Sequence, residues 1–414
     1  MKKVALSLAG VLAAAAFAPE ASAIPAFARQ TGMACSACHA QHFPILNGFG
    51  RAFKAAGFTM MGSQEKVEGE HLSIPAQMNF GQLLKVRYQK SSGPSDAVSG
   101  TSTNSGQWQF PDEYALFVGG RMADNGTVKV GVMAENALGG TNAGIVAGLR
   151  VPVVVEMDSA LISVIPFTTD SLGPFYGYTE SSQGINRAVR WAEHRLETSA
   201  WQYVTNTNWH AADAVVAGAF DTQSGGEATG IALVAHTDMG YINVTRFAPT
   251  FASAIQMSST AVEIAATPTI ADFATIFSAN ILSGESYLAG PTKIATKATG
   301  LSAQAHGELA GMETGLYAQY AKGDTAAISD FGDNQATTVG VDFTVIPHAL
   351  SIGASLRSAK SNGVTDNATT FTAVYDLAQN VALVANYTKY SKLQEKGGAA
   401  KGDSLFTGML EAAW

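Results

Sequence analysis

The sequence predicts an all-β protein, a transmembrane barrel of about 16 antiparallel strands that follows a small α-helical N-terminal segment. Two observations carry this prediction. Apolar and polar residues alternate with a period of two along much of residues 75–414, and the last strand alternates up to the final residue, Trp414. The 414 residues are 47% hydrophobic and 14% charged, with a mean hydropathy of +0.10. These values exclude a disordered chain, a disulfide scaffold and a coiled coil, and they argue against a helical membrane protein.

The first 23 residues have the pattern of a secretory signal. Lys2 and Lys3 form the charged start, residues 4–17 are apolar, and Ala21–Ala23 is a small-residue cleavage site. The alternative, an uncleaved membrane anchor, needs a longer apolar run. We therefore expect an exported chain whose mature form begins at Ile24. With 25 basic and 33 acidic residues, the net charge of −8 predicts no binding of nucleic acid.

Both cysteines of the chain lie in one motif, Cys35-Ser36-Ala37-Cys38-His39. This C-x-x-C-H spacing is the attachment signature of c-type haem. Each thiol adds to one vinyl group of the porphyrin, and the adjacent His39 is then the proximal ligand of the iron. A disulfide, an unoccupied redox pair and half of a zinc site are the alternatives, the last without a second cysteine pair to complete it. The export signal favours one covalently bound haem c.

The residues after this motif predict a short helix over residues 44–57, which ends at Gly57. Ile45, Phe49 and Phe53 recur every four residues, so they form one apolar face. A segment of about 45 residues is too small to build a core alone. We expect the porphyrin to cover the apolar face and to supply the missing core.

The sequence offers several candidates for the distal ligand of the haem iron. Met60 or Met61 is the assigned candidate, because the chain has about twenty residues in which to return over the opposite face of the haem. His71 is the second candidate, and an open position is the third. His42 is three residues from His39, which on a helix places it on the proximal side.

The strand pattern is clearest towards the C-terminus. Apolar residues occupy every second position of four runs, 339–345, 350–356, 371–377 and 381–387. Gly, Ser, Thr, Asp and Arg are typical of the positions between them, and breaks at 347–348 and 378–380 predict hairpin turns. At about twenty residues per strand and connection, residues 75–414 give about 16 strands, with 14 or 18 as alternatives.

A soluble β-sandwich would alternate in the same way. Strands of about ten residues, aromatic residues near strand ends and the aromatic C-terminus favour a membrane barrel instead. The longer connections, 91–109 and 173–198, are expected to be loops or elements inside the lumen. Asp112 and Glu113 are either a pair of oxygen ligands for a metal ion or residues of a solvated loop.

The N-terminal residues resemble a known family. The stretches 27–32, 35–39, 44–54 and 57–59 are similar to the fused monohaem cytochrome c–porins of iron-oxidising bacteria. Phe58 stands where that family often has Tyr. The detailed resemblance covers residues 24–62, and beyond them it extends only to architecture and length. It implies a cytochrome followed by an outer-membrane barrel of about 16 strands, and an outer-membrane Fe(II) oxidase activity.

These expectations combine into one function. Residues 1–23 are expected to be a signal peptide, 24–74 a monohaem cytochrome c segment, and 75–414 a porin-like barrel in outer-membrane lipid. Extracellular Fe(II) is expected to give an electron to the haem, and a periplasmic cytochrome c to accept it. The alternatives are a diffusion porin with a structural haem plug, an electron conduit for a donor other than iron, and a soluble periplasmic cytochrome with a β domain.

Overall fold

The structure is a computed structural model of the chain. It describes residues 25–41, 45–62, 64–70, 72–92, 106–137, 148–169, 173–176, 184–187, 199–201, 203–205, 228–249, 255–287, 293–295, 297–323, 334–361, 364–390 and 404–414. The expected signal peptide and the candidate ligand His71 lie outside these ranges, so both stay predictions. His42 lies outside them as well.

The described residues form short N-terminal helices, one 3₁₀ turn and a long series of strands. The helices are α1 (Pro25–Thr31), α2 (Cys35–Cys38) and α3 (Gly48–Ala55), and the 3₁₀ turn is Gly184–Arg187. The strands are β1 (Lys66–Gly69), β2 (Leu72–Pro75), β3 (Phe80–Ser91), β4 (Gln107–Asp124), β5 (Val128–Ala137), β6 (Gly148–Arg150), β7 (Val153–Met157), β8 (Ala160–Thr169), β9 (Ala228–Thr237), β10 (Gly240–Ala248), β11 (Ser259–Ala266), β12 (Thr269–Ile270), β13 (Phe273–Tyr287), β14 (Lys293–Ala295), β15 (Ala298–Leu309), β16 (Met312–Gly323), β17 (Asn334–Ile346), β18 (Leu350–Ser361), β19 (Val364–Ala378), β20 (Val381–Tyr390) and β21 (Ser404–Ala413).

Strands β3 to β21 form one closed antiparallel barrel, because β21 pairs with β3 and Leu405 faces Ser91 across the seam. Three pairs of segments each form one interrupted strand, because both members of the pair bond to the same neighbouring strand. Segments β6 and β7 both pair with β5. Segments β11 and β12 pair with one edge of β13, and β14 and β15 pair with its other edge. Pro152 and Pro268 lie at two of the interruptions, where a residue without an N–H group cannot continue the ladder. Among the described residues, the nineteen segments therefore make sixteen strands, which confirms the predicted fold class.

The barrel wall has an apolar outer face and a polar inner face. In β18 the outward Leu356 is 54% exposed, whereas the inward Arg357 is 2% exposed. Exposed apolar side chains continue around the outside, and they include Ile242, Ile264, Phe277, Ile281, Leu301, Leu316, Val339, Ile352, Phe371, Leu383 and Leu410. A belt of this kind is the surface that lipid chains cover on membrane barrels. The four runs of alternation predicted near the C-terminus all lie in strands of the barrel.

The two ends of the barrel differ. Turns of two or three residues join neighbouring strands at one end, at 158–159, 238–239, 271–272, 310–311, 347–349 and 379–380. Ala310 and Gly311 have φ values of 54° and 79°, as a two-residue type I′ hairpin turn requires. Most connections at the other end are longer, for example from Ser91 to Gln107, although only two residues join β18 to β19 there. We name the two ends the short-turn end and the loop end; in porin barrels they face the periplasm and the outside, respectively.

Residues 25–62, named the N-terminal segment here, lie against the inner wall of the barrel. A Cβ atom added at Gly131 of β5 would come within 1.8 Å of the carbonyl oxygen of Gly57. Phe53 and Phe58 are buried in one cluster with barrel residues such as Ile165. The barrel wall therefore supplies core contacts that the sequence analysis assigned to the porphyrin alone. The first barrel strand begins at residue 80, and the domain boundary after residue 74 stays a prediction.

Parts of the connection between β8 and β9 also fold into the lumen. The backbone N–H of Ile185 donates to Asp342 Oδ2 at 3.0 Å, and that of Trp201 donates to Gln319 Oε1 at 2.9 Å. Both acceptors are buried on the inner face of the barrel. Of the two expectations for this connection, a loop or an element inside the lumen, the second is correct for its described part. Among the described residues, no helix is long and apolar enough to cross a membrane.

Helix α3 begins later than predicted. It starts at Gly48, because Asn47 adopts an extended conformation and its side chain accepts a hydrogen bond from Gly50 N at 2.9 Å, which caps the helix. Phe49 is 38% exposed, so the predicted apolar face was only partly right. The helix ends at Ala55, two residues before the predicted end, and Gly57, with a φ of 67°, closes a Schellman motif after it.

Candidate functional site

Cys35, Cys38 and His39 lie together on α2 and the residue that follows it. The backbone N–H of His39 donates to the carbonyl oxygen of Cys35 at 3.0 Å, which closes this turn. The two thiols are not joined to each other. Cys35 is buried, and Cys38 and His39 are half-buried. We name residues 35–39 the Cys–His turn.

Asn47 and Gly50 hold the Cys–His turn in place. The side-chain Nδ2 of Asn47 donates to the carbonyl oxygen of Ala37 at 3.0 Å, and its backbone N–H donates to that of Cys38, also at 3.0 Å. A Cβ atom at Gly50 would come within 2.1 Å of the Cys38 carbonyl oxygen, so only glycine permits this approach. Sequence reasoning missed both residues, although asparagine before an apolar helix is a recognisable capping signal.

The imidazole of His39 is oriented by a carbonyl group outside its own turn. His39 Nδ1 lies 3.2 Å from the carbonyl oxygen of Ile45. Because a carbonyl oxygen only accepts, the ring proton belongs on Nδ1, and the lone pair that binds a metal belongs to Nε2. Metal-binding histidines in proteins use this arrangement. Two thiols at the vinyl spacing and an Nε2 donor beside them are a donor set that fits a c-type haem.

The thiols of the Cys–His turn are protonated at neutral pH. Burial raises the pKa of Cys35 to about 12, and burial raises the pKa of Cys38 as well. Redox-active C-x-x-C pairs have the opposite property, a lowered pKa that makes one thiol a ready nucleophile. The direction of these shifts therefore disfavours an unoccupied redox pair.

Four aromatic rings form a cluster where the N-terminal segment meets the lumen: Phe27, Phe53, Phe58 and Tyr176. The ring of Phe27 stacks on that of Phe58 with centroids 4.9 Å apart, and Phe53 meets Phe27 edge-on at 5.2 Å. Tyr176, from the inward-folded connection, meets Phe58 edge-on at 6.3 Å. This aromatic cluster joins the N-terminal segment to the lumen and makes the surroundings of the segment apolar.

Gln30 fixes the path of the chain after the aromatic cluster. Its side-chain Nε2 donates to the carbonyl oxygens of Phe58 and Met60, at 2.7 Å and 2.8 Å. Met60 is partly buried against the core cluster that contains Phe53 and Phe58. The assignment of Met60 or Met61 as the distal ligand stays a prediction.

The Cys–His turn lies at the short-turn end of the barrel. The backbone N–H of Cys35 donates to Gln379 Oε1 at 3.2 Å, in the turn between β19 and β20. Gln41 Nε2 donates to the carbonyl oxygen of Glu313, close to the turn between β15 and β16, at 3.3 Å. Two hydrogen bonds thus connect the N-terminal segment to the mouth formed by the short turns.

Asp112 and Glu113 lie in β4 and point into the barrel, so their alternative assignment to a solvated loop is wrong. Glu113 Oε2 lies 3.0 Å from Lys85 Nζ, and Asp112 pairs with Arg87. The side chains of Asp112 and Glu113 are each 6% exposed. Among the described residues, no group of three or more His, Cys, Asp or Glu side chains could hold a metal ion.

Comparisons with known proteins show the fold of this chain. No family model matches the sequence, and no curated protein matches it. Among solved structures, OmpT, an outer membrane protein of Vibrio cholerae, is similar with a TM-score of 0.50 and 12% identity, over 82% of this chain and 99% of OmpT. A mutant of the Rh. blastica porin is similar with a TM-score of 0.51 and 11% identity, over 82% of this chain and 100% of the porin. The chain therefore has the barrel fold of outer-membrane porins.

Proposed function

We propose that this protein is an outer-membrane cytochrome–porin that accepts electrons from extracellular Fe(II) and passes them to a periplasmic cytochrome c. The observation that carries the proposal is the Cys–His turn, held by Gln379 and Asn47 in the short-turn mouth of a closed barrel. The short turns of porin barrels face the periplasm. An exported electron acceptor would meet the protein on that side.

Cys35 and Cys38 would hold a haem through two thioether bonds, and His39 would ligate its iron. Haem bound in this way supplies a one-electron carrier whose potential depends on its ligands and its surroundings. The residues of the chain prepare this site. The Ile45 carbonyl keeps the proton of His39 on Nδ1, Asn47 holds the turn, and the aromatic cluster supplies an apolar environment.

Fe(II) is the substrate in this proposal. Each Fe(II) loses one electron and becomes Fe(III), and the acceptor gains that electron, so a single redox centre is sufficient. Electron tunnelling slows steeply with distance, so the donor has to approach the Cys–His turn through the lumen from the loop end. The resemblance of residues 24–62 to the cytochrome–porin family favours iron over another donor.

A diffusion porin with a structural haem plug is the second candidate. The likeness to OmpT and to the Rh. blastica porin favours it, because these share the barrel fold. The polar inner face of the barrel suits solute passage and electron transfer equally. An electron conduit for a donor other than iron differs from the main proposal only in its substrate.

Reconstitution distinguishes these functions. Liposomes that carry the full-length protein and enclose oxidised cytochrome c receive Fe(II) outside, under argon. We expect reduction of the enclosed cytochrome c by the wild type and by His348→Asn, a control at an exposed turn residue with a φ of 57°. The variant His39→Ala measures any leak of Fe(II) through the barrel. Equal reduction rates for the wild type and His39→Ala, together with equal solute flux in a swelling assay, would support the porin and contradict electron transfer.

A further inference from the structure

Arg150 is a guanidinium group buried inside the barrel. It is the last residue of β6, faces Met133 and Phe167 in the neighbouring strands, and is 5% exposed. Its Nη2 atom is buried and has no hydrogen-bond partner among the residues that the structure describes. Arginine side chains are charged at every physiological pH. An unpaired buried cation is strongly unfavourable, so the site calls for an anion.

A second cation approaches the same place. This cation is Lys54, and both cations contact the ring of Tyr176, with Arg150 Cζ 5.8 Å and Lys54 Nζ 4.9 Å from the ring centroid. Tyr176 Oη also donates to the backbone carbonyl oxygen of Lys54 at 2.8 Å. An aromatic ring attracts cations through its quadrupole, but it does not neutralise their charge. The inner wall, the N-terminal segment and the inward-folded connection therefore meet at the ring of Tyr176.

The described part of the inner wall does not supply the missing anion. Glu135 lies two residues from Met133 on β5, which pairs with β6, but no ion pair joins it to Arg150 among the described residues, and it engages other partners. Elsewhere on the wall, two buried cations do have carboxylate partners: Arg87 pairs with Asp112, and Lys85 pairs with Glu113. Arg150 differs from them in this respect.

We propose that Arg150 binds a carboxylate group inside the lumen. The planar guanidinium fork matches a carboxylate with two parallel hydrogen bonds, and the Nη2 donor is ready for one of them. Two sources supply this chemistry. One is a propionate group of the haem, which rests on the function proposed above, and the other is a free carboxylate that enters the lumen.

The first experiment tests a free carboxylate on purified full-length protein. Thermal unfolding is measured during titration with sodium acetate, against sodium chloride of the same ionic strength. Arg150→Gln removes the charge, Arg150→Lys keeps the charge without the fork, and Arg87→Gln is the matched control at a buried arginine with a carboxylate partner. If a free carboxylate fills the site, acetate raises the Tm of the wild type and of Arg87→Gln but not of Arg150→Gln. Arg150→Lys then binds acetate roughly tenfold or more weakly.

The second experiment tests the haem source on the same proteins. A pyridine haemochrome assay counts haem, and resonance Raman spectroscopy records the propionate-bending band. If a propionate fills the site, acetate has no effect on the Tm, and the band moves in Arg150→Gln and Arg150→Lys but not in Arg87→Gln. If the haemochrome assay finds no haem, the proposed function is contradicted. The acetate titration alone then decides whether Arg150 binds a carboxylate. The carboxylate site would be overturned if both Arg150 variants matched the wild type in the acetate dependence of the Tm and in the propionate-bending band.

Discussion

At the scale of single residues, the Cys–His turn depends on groups that are not part of the motif. The Ile45 carbonyl sets the tautomer of His39, and Asn47 binds two backbone groups of the turn while it caps α3. Gly50 allows α3 to touch the turn. These contacts prepare the histidine before any ligand binds, which lowers the cost of holding a cofactor in one orientation.

Asn47→Ala should loosen the Cys–His turn while the barrel stays intact. The substitution removes a helix cap, which costs about 1 kcal/mol, and also the side-chain bond to the Ala37 carbonyl. We expect faster hydrogen–deuterium exchange in residues 35–56 and unchanged exchange in the barrel strands. Asn125→Ala is the control, since Asn125 accepts from Val128 N in the short turn before β5. Equal exchange in both variants would refute the role of Asn47.

The thiols give a prediction with a defined pH dependence. Since burial raises the pKa of Cys35 to about 12 and that of Cys38 as well, few thiolates exist at pH 8 in folded protein made without haem. Iodoacetamide should therefore label it more slowly than the urea-unfolded chain, and the rate at Cys35 should rise about tenfold per pH unit below its pKa. Protein from haem-competent cells should take up no label even when unfolded. Mass spectrometry checks both statements, and two labels on the latter protein would argue against covalent haem.

At the scale of elements, the N-terminal segment fits inside the barrel because glycines of the wall leave space for it. Gly131 of β5 touches the carbonyl of Gly57, and Gly119 of β4 accommodates the ring of Phe27. A larger side chain at either barrel position would take the space of the segment. Strand β5 would still form, because β-branched residues suit strands.

Gly131→Val should expel the N-terminal segment without opening the barrel. An added Cβ there lies 1.8 Å from the Gly57 carbonyl oxygen, whereas at Gly148 of β6 the nearest atom is 3.9 Å away. Trypsin should therefore cut within residues 25–62 of Gly131→Val but spare the wild type and the matched control Gly148→Val. All three should keep the heat-modifiable gel migration of a folded barrel. A protected segment in Gly131→Val would show that it does not depend on this contact.

The alternation of side chains made the elements of the barrel predictable. A period of two decides which face of a strand meets lipid, so the outward Leu356 and the inward Arg357 could be assigned from sequence. The pattern failed where it was interrupted. Around Pro111 three residues of β4 lie opposite one residue of β3, and this irregularity made Asp112 and Glu113 look like a loop.

The contacts of the candidate site could be predicted only in part. The Cys–His turn is local, so five consecutive residues define it. Its attachment to the barrel is not local, because Cys35 and Gln379 are separated by 344 positions. No periodicity or spacing encodes such a pair, since it results from the way the whole barrel closes.

At the scale of the whole molecule, the two ends of the barrel hold different parts of the chain. The Cys–His turn lies at the short-turn end, and the described parts of the inward-folded connection enter from the loop end. The aromatic cluster is where the two meet, through Phe58 and Tyr176. A donor outside the membrane and an acceptor beneath it would thus face opposite sides of the same interior.

Leu356→Arg should destabilise the barrel in a bilayer by about 2 to 4 kcal/mol, because it puts a charge near the middle of the lipid-facing belt. Lys360→Arg, on the same face of β18 but next to the loop end, should leave the free energy of unfolding unchanged. Urea unfolding from lipid vesicles measures both values. Equal stabilities of the two variants would mean that the outer face does not contact lipid.

The central claim is that a haem on the Cys–His turn takes electrons from Fe(II). The most direct test is the visible spectrum of detergent-solubilised outer membranes that contain the full-length protein, before and after anaerobic addition of Fe(II). We predict a c-type spectrum that becomes reduced and that is absent from the double variant Cys35→Ala, Cys38→Ala. A spectrum without haem bands, or one that stays oxidised after Fe(II), would contradict the claim.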